Sequence, residues 1–276
     1  MHQFPTTPPV ADAPSELLSG HLWLLELIDG RPLRFQLQDS GLLRVGDAER
    51  VYDEPAALPL PLRRAVRHLR ESLDRDALRA AVDDVEAVTF YGVATVRASL
   101  PYDLDSMPPF LGTDVWAAER GAFRPPDAAD GIFQRLGLDP VNTFERESHA
   151  RDFNADTYEI PESAWYDGPA AGVVIRNKQD QRGRLDNPAV DTVDDDHHGD
   201  RSAEELAEAY TTSDRLDAVA TTLDAAGQPV TVDAVTDRLL ERIGRAIPAR
   251  FTGSTTVDTA ALRSAIASRV QQFLEQ

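Results

Sequence analysis

The chain has 276 residues, a formal net charge of −19 and a pI near 4.6, long enough for one large domain or a large and a small one with a full core. It has no cysteine, which excludes disulfides, thiolate nucleophiles and cysteine-ligated metals, and no apolar run near about 18 residues, so no membrane span is expected. Among 28 Lys and Arg there is a single lysine, Lys178; acidic, lysine-poor composition fits solvation in molar salt, where repulsion is screened over about 3 Å, and a halophilic archaeal cytoplasm is the expected setting.

Residues 1–20 read as an extended arm. Met1–Pro14 is proline-rich and lacks a charged start followed by an apolar core, so it does not read as a signal peptide. Strands are expected at His21–Leu27, Leu33–Leu37 and Leu42–Val45. Asp29-Gly30 reads as the tight turn of a hairpin between the first two, because Asp-Gly supplies positive φ angles, and Asp39-Ser40-Gly41 marks the next turn. From Leu58 to Val82 the spacing of Leu62, Val66, Leu69, Leu73 and Leu78 is helical. A helix set into an antiparallel sheet is an α+β pattern. Val88–Ala94 is the next strand, and Ala128–Leu136 a short helix ended by Gly137 with Pro140 beyond it.

Residues 191–200 include Asp194-Asp195-Asp196-His197-His198. Carboxylates and imidazoles can ligate metal, but a charge run reads first as a solvated acidic linker. Four helices follow at Glu204–Tyr210, Ser213–Ala225, Val232–Ala246 and Thr259–Leu274. Gly227 and Pro229 separate the second from the third, with Thr231 or Asp233 as the cap. The repeats Val235, Leu239, Ile243 and Leu262, Ile266, Val270 suggest a small bundle. The expected organisation is a domain over 1–190, a linker over 191–200 and a helical domain over 201–276.

Glu26-Leu27-Ile28-Asp29-Gly30 resembles motif I of the ATP-dependent RNA ligases, usually Glu-Lys-x-Asp-Gly. Tyr91-Gly92-Val93 resembles motif III, commonly Phe-Gly-Glu, and Phe110-Leu111-Gly112-Thr113-Asp114-Val115 the Phe-Asp-Val/Ile motif that follows. Ala171-Gly172-Val173-Val174-Ile175-Arg176 is similar to motif IV, ordinarily Glu-Gly-Val-Val-x-Arg, and Arg182-Gly183-Arg184 to motif V. The arm Phe4-Pro5-Thr6-Thr7-Pro8 and the C-terminal helices extend the likeness. The resemblance implies a ligase-type nucleotidyltransferase fold, α+β with ATP-grasp-like antiparallel sheets and helices, plus a small helical C-terminal domain. It implies that motifs I, III and IV line one nucleotide cleft.

In that family the motif I lysine attacks the α-phosphate of ATP and carries AMP. Here the position is Leu27, which has no lone pair for a phosphorus centre. Val93 stands where a glutamate grips the ribose, Thr113 where an aromatic ring stacks on adenine, and Ala171 where a glutamate helps hold the metal. Alanine offers no oxygen to Mg²⁺. Arg184 replaces the lysine that contacts the α-phosphate and keeps its charge without the compact ammonium. Lys178 reads as a surface lysine, and none of the six histidines falls inside these motifs.

Three readings follow. The first is a catalytically inactive relative that binds RNA ends or partners an active ligase, with no cofactor expected although the family uses ATP and Mg²⁺. The second is a working RNA ligase with displaced catalytic residues. The third is a structural scaffold for another protein; no membrane partner is expected in any of them. Arg34, Arg44, Arg50, Arg176, Arg182 and Arg184 are candidate phosphate contacts, since guanidinium grips phosphate bidentately; the alternative is that several are surface arginines in salt bridges with the many aspartates. Asp29, Gly30, Thr113 and Asp114 complete the set of candidate nucleotide- or RNA-binding residues.

Overall fold

The computed structural model describes residues 1–54, 57–190, 201–252 and 256–275; the expected linker, with its Asp-His run, lies outside them. In chain order the strands are β1 (His21–Glu26), β2 (Arg31–Leu37), β3 (Leu43–Gly46), β4 (Val51–Tyr52), β5 (Val88–Ala94), β6 (Phe110–Ala117), β7 (Ala122–Phe123), β8 (Thr143–His149), β9 (Gly172–Asn177) and β10 (Arg182–Asp186). They form two antiparallel sheets. One has four strands in the order β10-β9-β1-β8, the other six in the order β4-β3-β2-β5-β6-β7.

The expected hairpin between the first two strands does not form. β1 pairs with β8 and β9, whereas β2 pairs with β3 and β5. Asp29-Gly30 is the crossover from one sheet to the other. Gly30 has no positive φ; it is needed for close approach, because a Cβ there would stand 2.4 Å from Val93 Cγ1 and 2.8 Å from the Ala94 carbonyl.

The helices are α1 (Leu60–Ser72), α2 (Arg75–Ala81), α3 (Pro126–Arg135), α4 (Ala203–Tyr210), α5 (Ser213–Ala225), α6 (Val232–Ala246) and α7 (Thr259–Leu274). The single helical stretch read over Leu58–Val82 is broken at Leu73, whose backbone is extended, and Asp74 restarts it by capping Ala77 N–H. Gly137, at φ 75°, ends α3 as expected. α4 opens on a reciprocal box between Ser202 and Glu205, and the cap of α6 is Thr231 rather than Asp233.

Apolar faces set the packing. The six-stranded sheet presents Phe35, Phe90 and Phe110 to Leu69 of α1 and Phe133 of α3, with Phe35 and Phe90 stacked at 4.8 Å. On β1, alternation sends Leu22 and Leu24 to a cluster with Val173 and Ile175, and Leu25 to the opposite side with Ile28, Tyr102 and Leu111. Helices α4 to α7 bury their own cluster, which Leu60 of α1 joins. Among the described residues no helix is long and apolar enough to cross a membrane.

Candidate functional site

The segment that leaves β1 is tied down on both sides. Leu27 N–H donates to the Gly172 carbonyl at 3.0 Å, and the Leu27 side chain packs beside Gly172, where a Cβ would meet Leu27 Cδ2 at 3.0 Å. Asp29 accepts from Ser99 N–H at 2.6 Å through Oδ2, and its own N–H donates to the Tyr102 hydroxyl at 3.0 Å. Between the sheets lies a cavity of about 210 Å³. Leu27, Gly30, Val93, Thr113, Asp114, Arg176 and Arg184 all contribute to its walls, and Phe4, Pro5 and Thr7 of the arm line it as well. Ala171 is not on the lining, but it packs with Val93 and Val174 against the Leu25, Ile28 and Tyr102 cluster.

The polar groups of this cleft mostly satisfy one another. Asp114 is buried between two guanidinium ions, with Arg176 Nη1 at 2.8 Å and Arg182 Nη1 at 2.9 Å. Burial penalises its charge, but the two arginines outweigh that and hold its carboxyl below the ordinary Asp range. Arg176, whose own pKa burial pulls down, also donates to the carbonyls of Thr113 and Arg124. Arg182 lies over the Phe123 ring at 4.5 Å and pairs with Asp180. Arg184 pairs with Asp186 at 3.1 Å and donates to the Thr7 carbonyl, while its backbone N–H donates to the Pro8 carbonyl.

Three features of the site have contacts that the sequence reading did not assign. Glu26, buried next to Leu27, accepts from Ser163 Oγ (2.6 Å), Asn142 Nδ2 (3.1 Å) and Ala164 N–H (3.3 Å), and burial raises its pKa above the usual value. A charged residue inside an apolar strand was the available signal. The arm also bridges the sheets: on the six-stranded sheet His2 stacks on Trp116 at 3.7 Å, Phe4 meets Tyr91 edge-on and Arg34 holds the His2 carbonyl at 2.8 Å, while Thr7 and Pro8 accept from Arg184 of β10. The third is Asp114 as the hub of an ion triad.

The remaining candidates stand apart. Arg34 is buried behind the arm and absent from the cleft lining. Arg50 lies at the β3–β4 edge with Asp47 and Tyr52, on a different cavity, and Arg44 faces Asp53. Asp29 points to Ser99 rather than into the cavity. Lys178 sits on the surface, paired with Glu147 at 2.9 Å and 5.0 Å from the Trp23 ring.

Two antiparallel sheets flanking a cleft between the motif strands define a nucleotidyltransferase fold of the RNA-ligase type. Among solved structures the chain is similar to Naegleria gruberi RNA ligase with PPi, with a TM-score of 0.52 and 12% identity over 68% of this chain and 56% of that one. A mutant of the same enzyme with AMP and Mn gives 0.51 at the same identity and coverage. An archaeal ATP-dependent RNA ligase aligns over 100% of this chain and 66% of its own length at 15% identity, with a TM-score of 0.47. The chain thus spans less than two thirds of the length of these ligases. No protein-family model and no curated protein sequence matches it.

Proposed function

We propose that this chain is an RNA-ligase-fold protein that binds RNA ends without carrying AMP. The observation that supports this reading best is the apolar filling of the cleft. Val93 and Ala171 belong to one hydrophobic cluster, and Leu27 packs next to it on Gly172. A phosphoryl-transfer site does little covalent chemistry and depends on positioning and charge, and here the charges are spent on internal partners.

The residues present do not fit Mg²⁺-ATP. Asp114 is taken by Arg176 and Arg182, Glu26 by Ser163 and Asn142, and among the described residues no group of three His, Asp or Glu side chains could hold a metal. The cavity of about 210 Å³ is smaller than the usual ligand pocket of about 300–1,000 Å³. Losing the ribose contact at Val93 and the stacking group at Thr113 costs about 1–3 kcal/mol each, so ATP affinity falls by tenfold or more. A displaced nucleophile finds no support either, because Lys178 pairs with Glu147 outside the cleft lining. The RNA component rests on the ligases that share the fold.

The test is intact-mass spectrometry after incubation with ATP and Mg²⁺ or Mn²⁺ in molar KCl. No AMP adduct is expected on the native chain or on Leu27→Lys alone. An adduct should return only when Leu27→Lys, Val93→Glu, Thr113→Phe, Ala171→Glu and Arg184→Lys are combined. An AMP adduct on the native protein overturns the reading, and absence of any complex with 5′-phosphorylated RNA removes its RNA component.

A further inference from the structure

The strongly acidic chain contains a local reversal of charge away from the cleft. Where the helical bundle meets α1 and the loop at 104–109, a cavity of about 450 Å³ is walled by Arg64, Arg97, Arg215, Arg242 and Arg245, with Asp105 the one carboxylate on its lining. It shares no lining residue with the cleft. An adjoining cavity of about 350 Å³ shares Arg64 and Arg242 with it. The nearby carboxylates offset only part of this charge: Glu71 pairs with Arg238 at 3.0 Å and also acts on Arg64, Glu241 pairs with Arg67, and Asp103 and Asp105 act on Arg245.

The five arginines fall into two kinds. Arg245 is buried and donates only to uncharged acceptors, the Thr95 hydroxyl and the carbonyls of Thr95, Leu104, Met107 and Pro108. Burial, with Arg64 adding its charge, pulls the Arg245 pKa down to about 10. Arg245 thereby fastens α6 to the 95–108 segment. Arg97 and Arg215 are exposed and use one donor each on the carbonyls of Tyr102 and Ala209, and Arg215 lies over the Tyr210 ring at 5.0 Å, leaving further donors of each planar fork available. Arg64 and Arg242 make no hydrogen bond or ion pair among the described residues. Arg64 is half-buried, and loss of water lowers its pKa, with the charge of Glu71 offsetting part of that.

Collecting like charges in a partly desolvated wall is unfavourable unless an anion offsets them. In a chain this acidic, surface arginines would find carboxylates readily. We propose that this cavity is an oxyanion site that takes phosphate groups, with Arg64 and Arg242 as the gripping pair and Arg97 and Arg215 at its mouth. Guanidinium is suited to the task because its fork matches phosphate oxygens two at a time, and the volume lies within the range of small-ligand sites. Such phosphate reaches the site as the end of an RNA strand or as free pyrophosphate. The inference is independent of what the cleft binds.

The experiment uses the full chain in KCl at fixed ionic strength. Inorganic pyrophosphate is titrated by calorimetry, and 5′-phosphorylated and 5′-hydroxyl RNA oligonucleotides of one sequence by fluorescence anisotropy. At least one phosphate probe should bind, at least tenfold more weakly to Arg64→Ala and to Arg242→Ala, with partial retention in Arg242→Lys. Arg50→Ala, on a different cavity, should bind as the native chain does. Preference for the 5′-phosphorylated strand over both other probes assigns the site to RNA ends, whereas pyrophosphate binding of equal strength assigns it to the free anion. Arg242 is exposed, so its variants keep the test valid if Arg64→Ala melts early. Absence of binding by pyrophosphate and by both RNAs at millimolar concentration overturns the proposal, as does binding that Arg242→Ala and Arg64→Ala leave unchanged. The AMP adduct judges the cleft reading and the loss on Arg242→Ala judges this site, which separates failure here from failure of the cleft reading.

Discussion

Removing the charge of Asp114 tests whether the cleft is held by its ion triad. The side chains of Arg176, Arg182 and Asp114 retain only 2%, 6% and 8% of their surface. Asp114→Asn therefore leaves two guanidinium ions buried with neutral partners or with the half-exposed Asp180. Breaking a buried pair from one side costs about 3–5 kcal/mol, a large part of a total stability of about 5–15 kcal/mol. For chains of this size class about 2–4 °C follows per kcal/mol, so the melting temperature should drop by about 6–20 °C. Denaturant unfolding at constant KCl measures the first quantity and calorimetry the second. The pH dependence has a definite sign. Because the folded pKa of Asp114 lies below its unfolded value, its contribution is present above about pH 4 and is lost as pH falls through the folded pKa. Asp114→Asn should therefore lose the most relative to native at neutral pH, and the gap should close in acid. Asp76→Asn, at a fully exposed carboxylate, is the control. A loss at Asp114 no larger than at Asp76 refutes the triad as a structural element.

Gly30→Ala places a Cβ 2.4 Å from Val93 Cγ1 and 2.8 Å from the Ala94 carbonyl, an overpacking cost of about 1–3 kcal/mol. Denaturant unfolding reads it, and Val93→Ala should rescue only part, because the carbonyl stays in place. Glu26 shifts in the opposite direction to Asp114: its folded pKa is raised by burial, so its share of stability is full below about pH 4.3 and is lost as pH rises through the folded pKa. Glu26→Gln should flatten that part of the pH–stability curve, and an unchanged slope contradicts the assignment. Truncating residues 1–8 should release Arg184 and Arg34 from the Thr7, Pro8 and His2 carbonyls and speed amide exchange in β10, while exchange in α7 stays as it was.

What could be read from the sequence was local. Helices with apolar spacing and a cap, such as α6 behind Thr231 and α3 ahead of Gly137, were legible because their signals lie within a few residues. The β1–β2 hairpin was misread because Asp-Gly reports a turn and says nothing about which strands pair beyond it. β8 went unseen because it is an edge strand exposed over most of its length, so no apolar alternation marks it. The motif strands were legible through resemblance, but the ion triad was not. Asp114 and its two arginines are separated by more than sixty residues, and only the fold brings them together. The arginine cavity was hidden for the same reason, with Arg64, Arg97 and Arg242 drawn from three distant segments.

The retained and the altered motif residues answer to different constraints. Asp114 balances two buried guanidinium ions, Gly30 permits the close passage of the crossover over β5, and Arg176 holds the carbonyls of Thr113 and Arg124. Each serves the packing of these two sheets, whether or not the chain handles a nucleotide. Their presence is accounted for by the fold and carries no claim about chemistry. Leu27, Val93 and Ala171 carry no such structural obligation to be polar, since each lies against apolar neighbours or at the rim of the cavity. A polar group there must be maintained by a ligand that uses it, because burying one unpaired costs about 1–3 kcal/mol. Where no ligand uses them, apolar residues at these three positions stabilise the fold by the same physics that keeps Asp114 paired.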